Sequence, residues 1–221
     1  MLRRFPRRWL PASAAVLLVV PACAQRPAAS AADITFALRD ADRSATWPVA
    51  VGEVAIDGKP IRLDRPVRVQ GPWLHTVTVT LRNVSPKTIV RGGIDLVFPE
   101  SGDGSAAHPY EACLSEQGRV PKIVYLGHDG YHLPPGYDLQ EPLQLAPGAE
   151  LRLTFSTCGD AAQAKLAGKP IHQVSLALLT FYFEDNSRWS AQQYALPPLP
   201  GTRQWRMVTP NEFLRSARAG Q

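Results

Sequence analysis

The feature that most constrains the fold of this chain is the run from His172 to Ser190, HQVSLALLTFYFEDNSRWS. Between Val174 and Phe183 one parity carries Val174, Leu176, Leu178, Thr180 and Tyr182, and the other carries Ser175, Ala177, Leu179, Phe181 and Phe183. Both sides are largely apolar, the pattern of a central strand covered on two faces. A buried helix is the rival reading. The β-branched and aromatic content, and the turn residues Glu184-Asp185-Asn186-Ser187, favour a strand entering a hairpin with Trp189 on the return. On that reading Leu179, Phe181 and Phe183 are core residues rather than ligand contacts.

The rest of the chain supplies short strands to surround it. Ile34, Phe36 and Leu38 alternate with Thr35, Ala37 and Arg39, the period of a half-buried strand. Trp47 to Ile56 and Ile61 to Val69 are extended runs joined by Asp57-Gly58-Lys59-Pro60, and Asp-Gly is a strong hairpin signal. Pro66 places the second run at a sheet edge. Val77, Val79 and Leu81 face one way and Thr76, Thr78, Thr80 and Arg82 the other. After the turn Asn83 to Lys87, the segment Thr88 to Phe98 returns with Ile94, Leu96 and Phe98 inward, and Gly92-Gly93 marks a bulge or kink. Asn83-Val84-Ser85 is formally a glycosylation sequon, but Pro86 follows it.

Pro99 to Pro121 reads as a long loop in which Ala112 to Gln117 could form a turn of helix, and Gly127 to Gly136 as a second irregular segment. Between them Lys122 to Leu126 reads as a short strand. Leu151, Leu153 and Phe155 point inward from a strand preceded by a Pro-Gly turn, and Ala161 to Ala167 has the composition of a short helix ending at Gly168. Trp205 to Val208 adds a last strand. Thr209, Pro210 and Glu212 form a capping box that opens a helix of about residues 210–219. The expected fold is all-β: an antiparallel immunoglobulin-like β-sandwich with long loops and a short C-terminal helix.

The run VTVTLRNVSPKTI, Val77 to Ile89, followed by Ile94 to Phe98 and Leu145 to Phe155, resembles bacterial extracytoplasmic immunoglobulin-like modules of the FxLYD or CARDB kind. The resemblance covers about a third of the chain. It implies a β-sandwich that binds other macromolecules, and it brings no catalytic residues.

Met1 to Trp9 is basic, Leu10 to Val20 contains the apolar core AAVLLVV, and small residues follow, which together form an export signal over residues 1–24. Two cleavages are open. Ala22-Cys23-Ala24 suits ordinary signal peptidase and leaves Gln25 as the N-terminus; Val20-Pro21-Ala22-Cys23 is similar to a lipobox, in which Cys23 is lipidated and tethers the chain to a membrane. Residues 25–32 read as a flexible spacer and residues 33–221 as one sandwich domain. The expected location is extracytoplasmic, periplasmic or secreted, with an outer-membrane lipoprotein as the alternative. Of the formal net charge of +5, four charges belong to Arg3, Arg4, Arg7 and Arg8, so the exported chain is close to neutral and no nucleic-acid partner is expected.

Few residues carry chemistry. Cys113 and Cys158 form the natural disulfide of an exported chain. The rival is a Cys113 nucleophile with His108 as its base. His108, Glu111, His128, Asp129 and His132 match no metal spacing, so neither metal nor cofactor is expected, and Glu184-Asp185 is a turn rather than a catalytic pair. No catalytic residue is assigned. The expected function is non-enzymatic binding of an envelope protein or glycan through the loops. Tyr131, His132 and Tyr137 are the candidate contacts, with Tyr110 and Tyr125 nearby. The opposing reading is that these rings cover the loop bases as minor core. A carbohydrate-binding module and, third, a metal-dependent or other hydrolase are the alternatives.

Overall fold

The computed structural model describes residues 31–39, 47–102, 111–121, 126–127, 130–131, 136–190, 193–197 and 204–219. The export signal, Cys23 and most of the spacer lie outside them. The strands are β1 (Ala32–Leu38), β2 (Val49–Ile56), β3 (Lys59–Ile61), β4 (Pro66–Val69), β5 (Thr78–Asn83), β6 (Ile89–Phe98), β7 (Glu111–Gly118), β8 (Leu126–Gly127), β9 (Gly130–Tyr131) and β10 (Glu150–Thr154). Helix α1 (Ser156–Leu166) follows, then β11 (Gln173–Leu178), β12 (Phe181–Phe183), β13 (Arg188–Ser190), β14 (Gln193–Leu196), β15 (Arg206–Val208) and helix α2 (Pro210–Ala219). The fold is all-β with a short C-terminal helix.

The large sheet is organised on β6. β7 pairs with it on one side from Arg91 to Phe98, while β11 and then β12 run along the other. β11 leads on to β1 and β4, and β12 to β13, β14 and β15. A second sheet, in the order β10-β5-β2-β3, faces it. Val79, Leu81, Leu151 and Leu153 from the second sheet share one apolar cluster with Ile94, Leu96, Phe98, Leu176, Phe181 and Phe183 from the first. β1 pairs with β11 in parallel, so the large sheet is mixed at that position. Pro66 stands in the edge strand β4, where its missing N–H costs no ladder bond.

The doubly apolar run has a specific cause. Leu178 stands opposite Ile94, and Leu179 N–H bonds the Gly93 carbonyl at 3.1 Å; one residue too many then separates Leu178 from Phe181. This bulge reverses the parity, so Val174, Leu176 and Leu178 and then Phe181 and Phe183 all enter the same core. The single expected strand is therefore two, β11 and β12. Gly92 belongs to the same device: a Cβ there would lie 2.2 Å from the Phe181 ring.

The turns follow their residues. Asp57 and Gly58 both have positive φ, 51° and 72°, as the two-residue hairpin between β2 and β3 requires. Asn186, at φ 62°, closes the β12–β13 turn, in which Phe183 N–H bonds the Ser187 carbonyl at 2.9 Å. Asn83 is fully buried. Its amide donates to the carbonyls of Lys87 and Leu145, each at 2.8 Å, and its Oδ1 accepts from Ser85 N–H and Oγ–H. It is a pin for the β5–β6 turn, not a glycan acceptor.

One expectation is corrected outright. Glu111 to Gly118, read as loop with a turn of helix, is strand β7. Its sequence, EACLSEQG, has weak strand propensity, and the pairing with β6 decides its conformation. The β7 edge is closed by tertiary links. Cys113 is disulfide-bonded to Cys158 in the first turn of α1, with Cα atoms 5.5 Å apart. Ser115 Oγ–H donates to the Thr154 carbonyl at 2.7 Å, and Lys165 pairs with Glu111 at 3.0 Å.

Helix α2 starts at the expected capping box, with Thr209 N–H and Oγ–H both donating to Glu212 Oε2 at 2.8 and 2.9 Å. It docks through Phe213, whose ring lies 4.2 Å from that of Tyr194 and 4.9 Å from that of Phe183. Lys87, almost wholly buried, ties the arrangement together. Its Nζ donates to Asp185 (2.5 Å), Ser216 (3.0 Å) and Ser187 (3.3 Å), and lies 4.0 Å over the Phe213 ring. Satisfied on every side, this ammonium is a structural cross-link between the β12–β13 turn and α2.

Candidate functional site

Of the three candidate contacts picked from the sequence, Tyr137 has a described side chain. Tyr137 is 3% exposed; its hydroxyl donates to the Val120 carbonyl at 2.6 Å, and the Arg119 guanidinium lies 5.1 Å over its ring. Both ends of the side chain are engaged, so Tyr137 packs its loop and offers no ring face for stacking. Tyr131 is described only by its backbone, opposite Leu126 in the β8–β9 pair. His132, Tyr125, Tyr110, His108, His128 and Asp129 lie outside the described residues. Glu111 is committed to Lys165, and among the described residues no three His, Cys, Asp or Glu side chains gather as metal ligands. Cys113 is consumed by the disulfide, which removes it as a nucleophile.

A cleft lies elsewhere, where the beginning of β1, the end of β4 and the end of α1 meet. Ala32 and Ile34 enter from β1, Val69 and the Gly71–Trp73 turn from β4, and Gln163 and Leu166 to Ile171 from the helix and its exit. Local chemistry explains the shape. Gly168 takes φ 81° and stops α1, so the chain folds back and Ile171 returns to the core. Gly71, at φ 63°, turns the end of β4 so that Trp73 packs edge-on against Phe36, with ring centroids 5.7 Å apart.

Ile34, Val69, Trp73, Leu166 and Ile171 are buried and form an apolar floor. Gln163 and Lys169 stand on the rim. Gln163 Oε1 accepts from Leu74 N–H at 3.4 Å, and Lys169 Nζ donates to the Ser101 carbonyl at 2.6 Å, which holds both side chains in place. The cleft encloses about 430 Å³, within the span of small-ligand sites. Among the described residues its lining holds an amide and an ammonium and otherwise apolar groups, so it can desolvate an apolar body and hydrogen-bond its edge.

One half-buried carboxylate has an oxygen without a hydrogen-bond partner. Asp95, in the middle of β6, stands between Leu114 of β7 and Ala177 of β11 on the side of the sheet away from the core. Its Oδ1 is cut off from solvent with no hydrogen-bond partner, and burial pushes its pKa up to about 6. Asp185 behaves in the opposite way. Burial raises it, but the hydrogen bonds from Lys87 and Ser187 outweigh burial and hold its pKa below the ordinary carboxylate value.

In comparisons with known proteins, no family model, no curated protein and no solved structure matches this chain.

Proposed function

We propose that this protein is an exported, non-enzymatic binding module of the cell envelope, and that it engages its partner through the cleft between β1, β4 and α1. The observation that carries this reading is the lining: a buried apolar floor with an amide and an ammonium at the rim. Such a surface suits an apolar side chain or small apolar group presented by a larger envelope component. The disulfide supports an oxidising, extracytoplasmic location, as do the basic and apolar halves of residues 1–24. The resemblance of the Val77 to Phe155 region to macromolecule-binding modules belongs to the same reading.

Ala167 provides the test, because it is exposed on the cleft rim and carries no packing. Ala167→Arg fills the cleft without touching the core. In affinity capture from an envelope extract, with a glycan array run in parallel, the variant is expected to lose about tenfold or more of the wild-type ligand signal at an unchanged melting temperature. Equal capture by both proteins would overturn the assignment of the cleft.

A further inference from the structure

Charge is divided unequally along the chain. Residues 188–221 contain five arginines, Arg188, Arg203, Arg206, Arg215 and Arg218, and a single acid, Glu212, for a net charge of +4. Residues 9–187 carry 15 basic and 18 acidic side chains, a net charge of −3. The near-neutral balance of the exported chain therefore conceals a basic C-terminal end.

The fold gathers part of that charge at one place. β15 is the outer strand at its end of the large sheet, and α2 follows it directly. Arg206 of β15 and Arg215 of α2 both lie close enough to Glu212 to lower its pKa, behind the larger effect of its hydrogen bonds to Thr209. Glu212 is committed to the cap, which leaves the two guanidiniums facing solvent. A third, Arg188, rests 4.3 Å over the Trp205 ring with no acidic partner among the described residues.

Apolar side chains are exposed among these cations. At about 100° per residue, Asn211, Leu214 and Arg215 point away from the side of α2 that carries Phe213 and Ser216 into the protein. Leu214 is 43% exposed and lines a shallow hollow with Val84, itself 55% exposed, and with Pro86 and Pro210. Met207, 52% exposed, shares with Arg188 the face of the sheet opposite Arg206.

From this pairing of solvent-facing arginines with exposed aliphatic side chains, we infer that the β15–α2 end of the protein docks on an anionic lipid surface. Arg206 and Arg215 contact headgroup phosphates, and Leu214 and Val84 enter the interfacial layer. Net positive charge on the face and negative charge on the rest of the chain also orient it: the β15–α2 end is drawn toward the bilayer and the body is repelled. No helix among the described residues is long and apolar enough to cross a membrane, so the contact is interfacial. It does not depend on lipidation of Cys23, nor on the proposed cleft.

The experiment is co-sedimentation of the mature chain beginning at Gln25, which carries no acyl anchor, with vesicles of phosphatidylcholine containing increasing phosphatidylglycerol. Binding is expected to rise with the anionic fraction and to fall as salt is raised from low to physiological strength. Arg206→Glu with Arg215→Glu is expected to reduce it by about tenfold or more. Arg62→Glu with Arg65→Glu, which changes net charge equally at another exposed site, is expected to leave most of the binding intact. Circular dichroism and the melting temperature establish that both double variants are folded. Sedimentation equal on neutral and anionic vesicles would overturn the inference, as would equal losses in the two double variants.

Discussion

At the scale of single residues, Asp95 is the costly position. Its carboxylate ionises less readily in the fold than in the unfolded chain, with a pKa of about 6 against 3.8, so the folded state holds the proton more tightly between those values. The contribution of Asp95 to stability is therefore most favourable below about pH 4, falls as pH rises through 6, and is constant above. Because the group is only half-buried, solvent screening reduces the penalty to the order of 1 kcal/mol. Asp95→Asn is expected to stabilise the protein by about that amount at pH 7.5 and to gain little at pH 4.5. Urea unfolding at both values measures it, and a variant less stable than wild type at pH 7.5 would assign Asp95 a favourable contact instead. Asp185 works in the opposite sense: held ionised by Lys87 and Ser187, it supports the fold at neutral pH and loses that effect only in acid, as pH falls through its lowered pKa.

At the scale of elements, the bulge at Leu179–Thr180, with Gly92 making room for the Phe181 ring, decides where the core lies. Gly92→Ala drives a Cβ into the Phe181 ring, and a destabilisation of about 2–3 kcal/mol is expected, with part of it recovered in combination with Phe181→Leu. Denaturation of the single and double variants gives the coupling, and simple additivity would contradict the close contact. The same elements show what the sequence discloses. Local chemistry was legible: Asp57-Gly58, the Asn186 turn, the Thr209–Glu212 box and the aliphatic alternation of β5 each act within a few residues. The bulge was not. An alternation broken by one residue is hidden in a run that is apolar on both parities, and both faces are buried as expected, with Ser175, Ala177 and Tyr182 on one side and Leu176, Phe181 and Phe183 on the other. β7 was hidden for another reason, since its strand character comes from a partner and a disulfide distant in the chain.

At the scale of the whole molecule, the disulfide joins the edge of the large sheet to the helix that supplies one wall of the cleft. In the chain-entropy model, closing the 45-residue separation between Cys113 and Cys158 is worth about 4 kcal/mol. Cys113→Ser with Cys158→Ser is expected to lose about that much by urea unfolding. A loss under about 1 kcal/mol would show that β7 and α1 are held by their other contacts. The cleft itself left no trace in the sequence. Ile34, Trp73 and Leu166 are ordinary core residues in three separate segments, and Gln163 and Lys169 resemble any surface pair; only the fold brings them to one rim. The tyrosines attracted notice because they stand in irregular sequence, yet Tyr137 is spent on packing its own loop.

The assignment of the cleft is tested most directly where the protein works. A photo-crosslinking benzoylphenylalanine replaces Ala167 at the rim in one protein and Leu139, 88% exposed and not among the cleft residues, in another; both are exported and irradiated in intact cells. A discrete covalent adduct from position 167 and none from position 139 is the predicted result. Adducts of equal yield from both positions, or from position 139 alone, would contradict the cleft as the binding site.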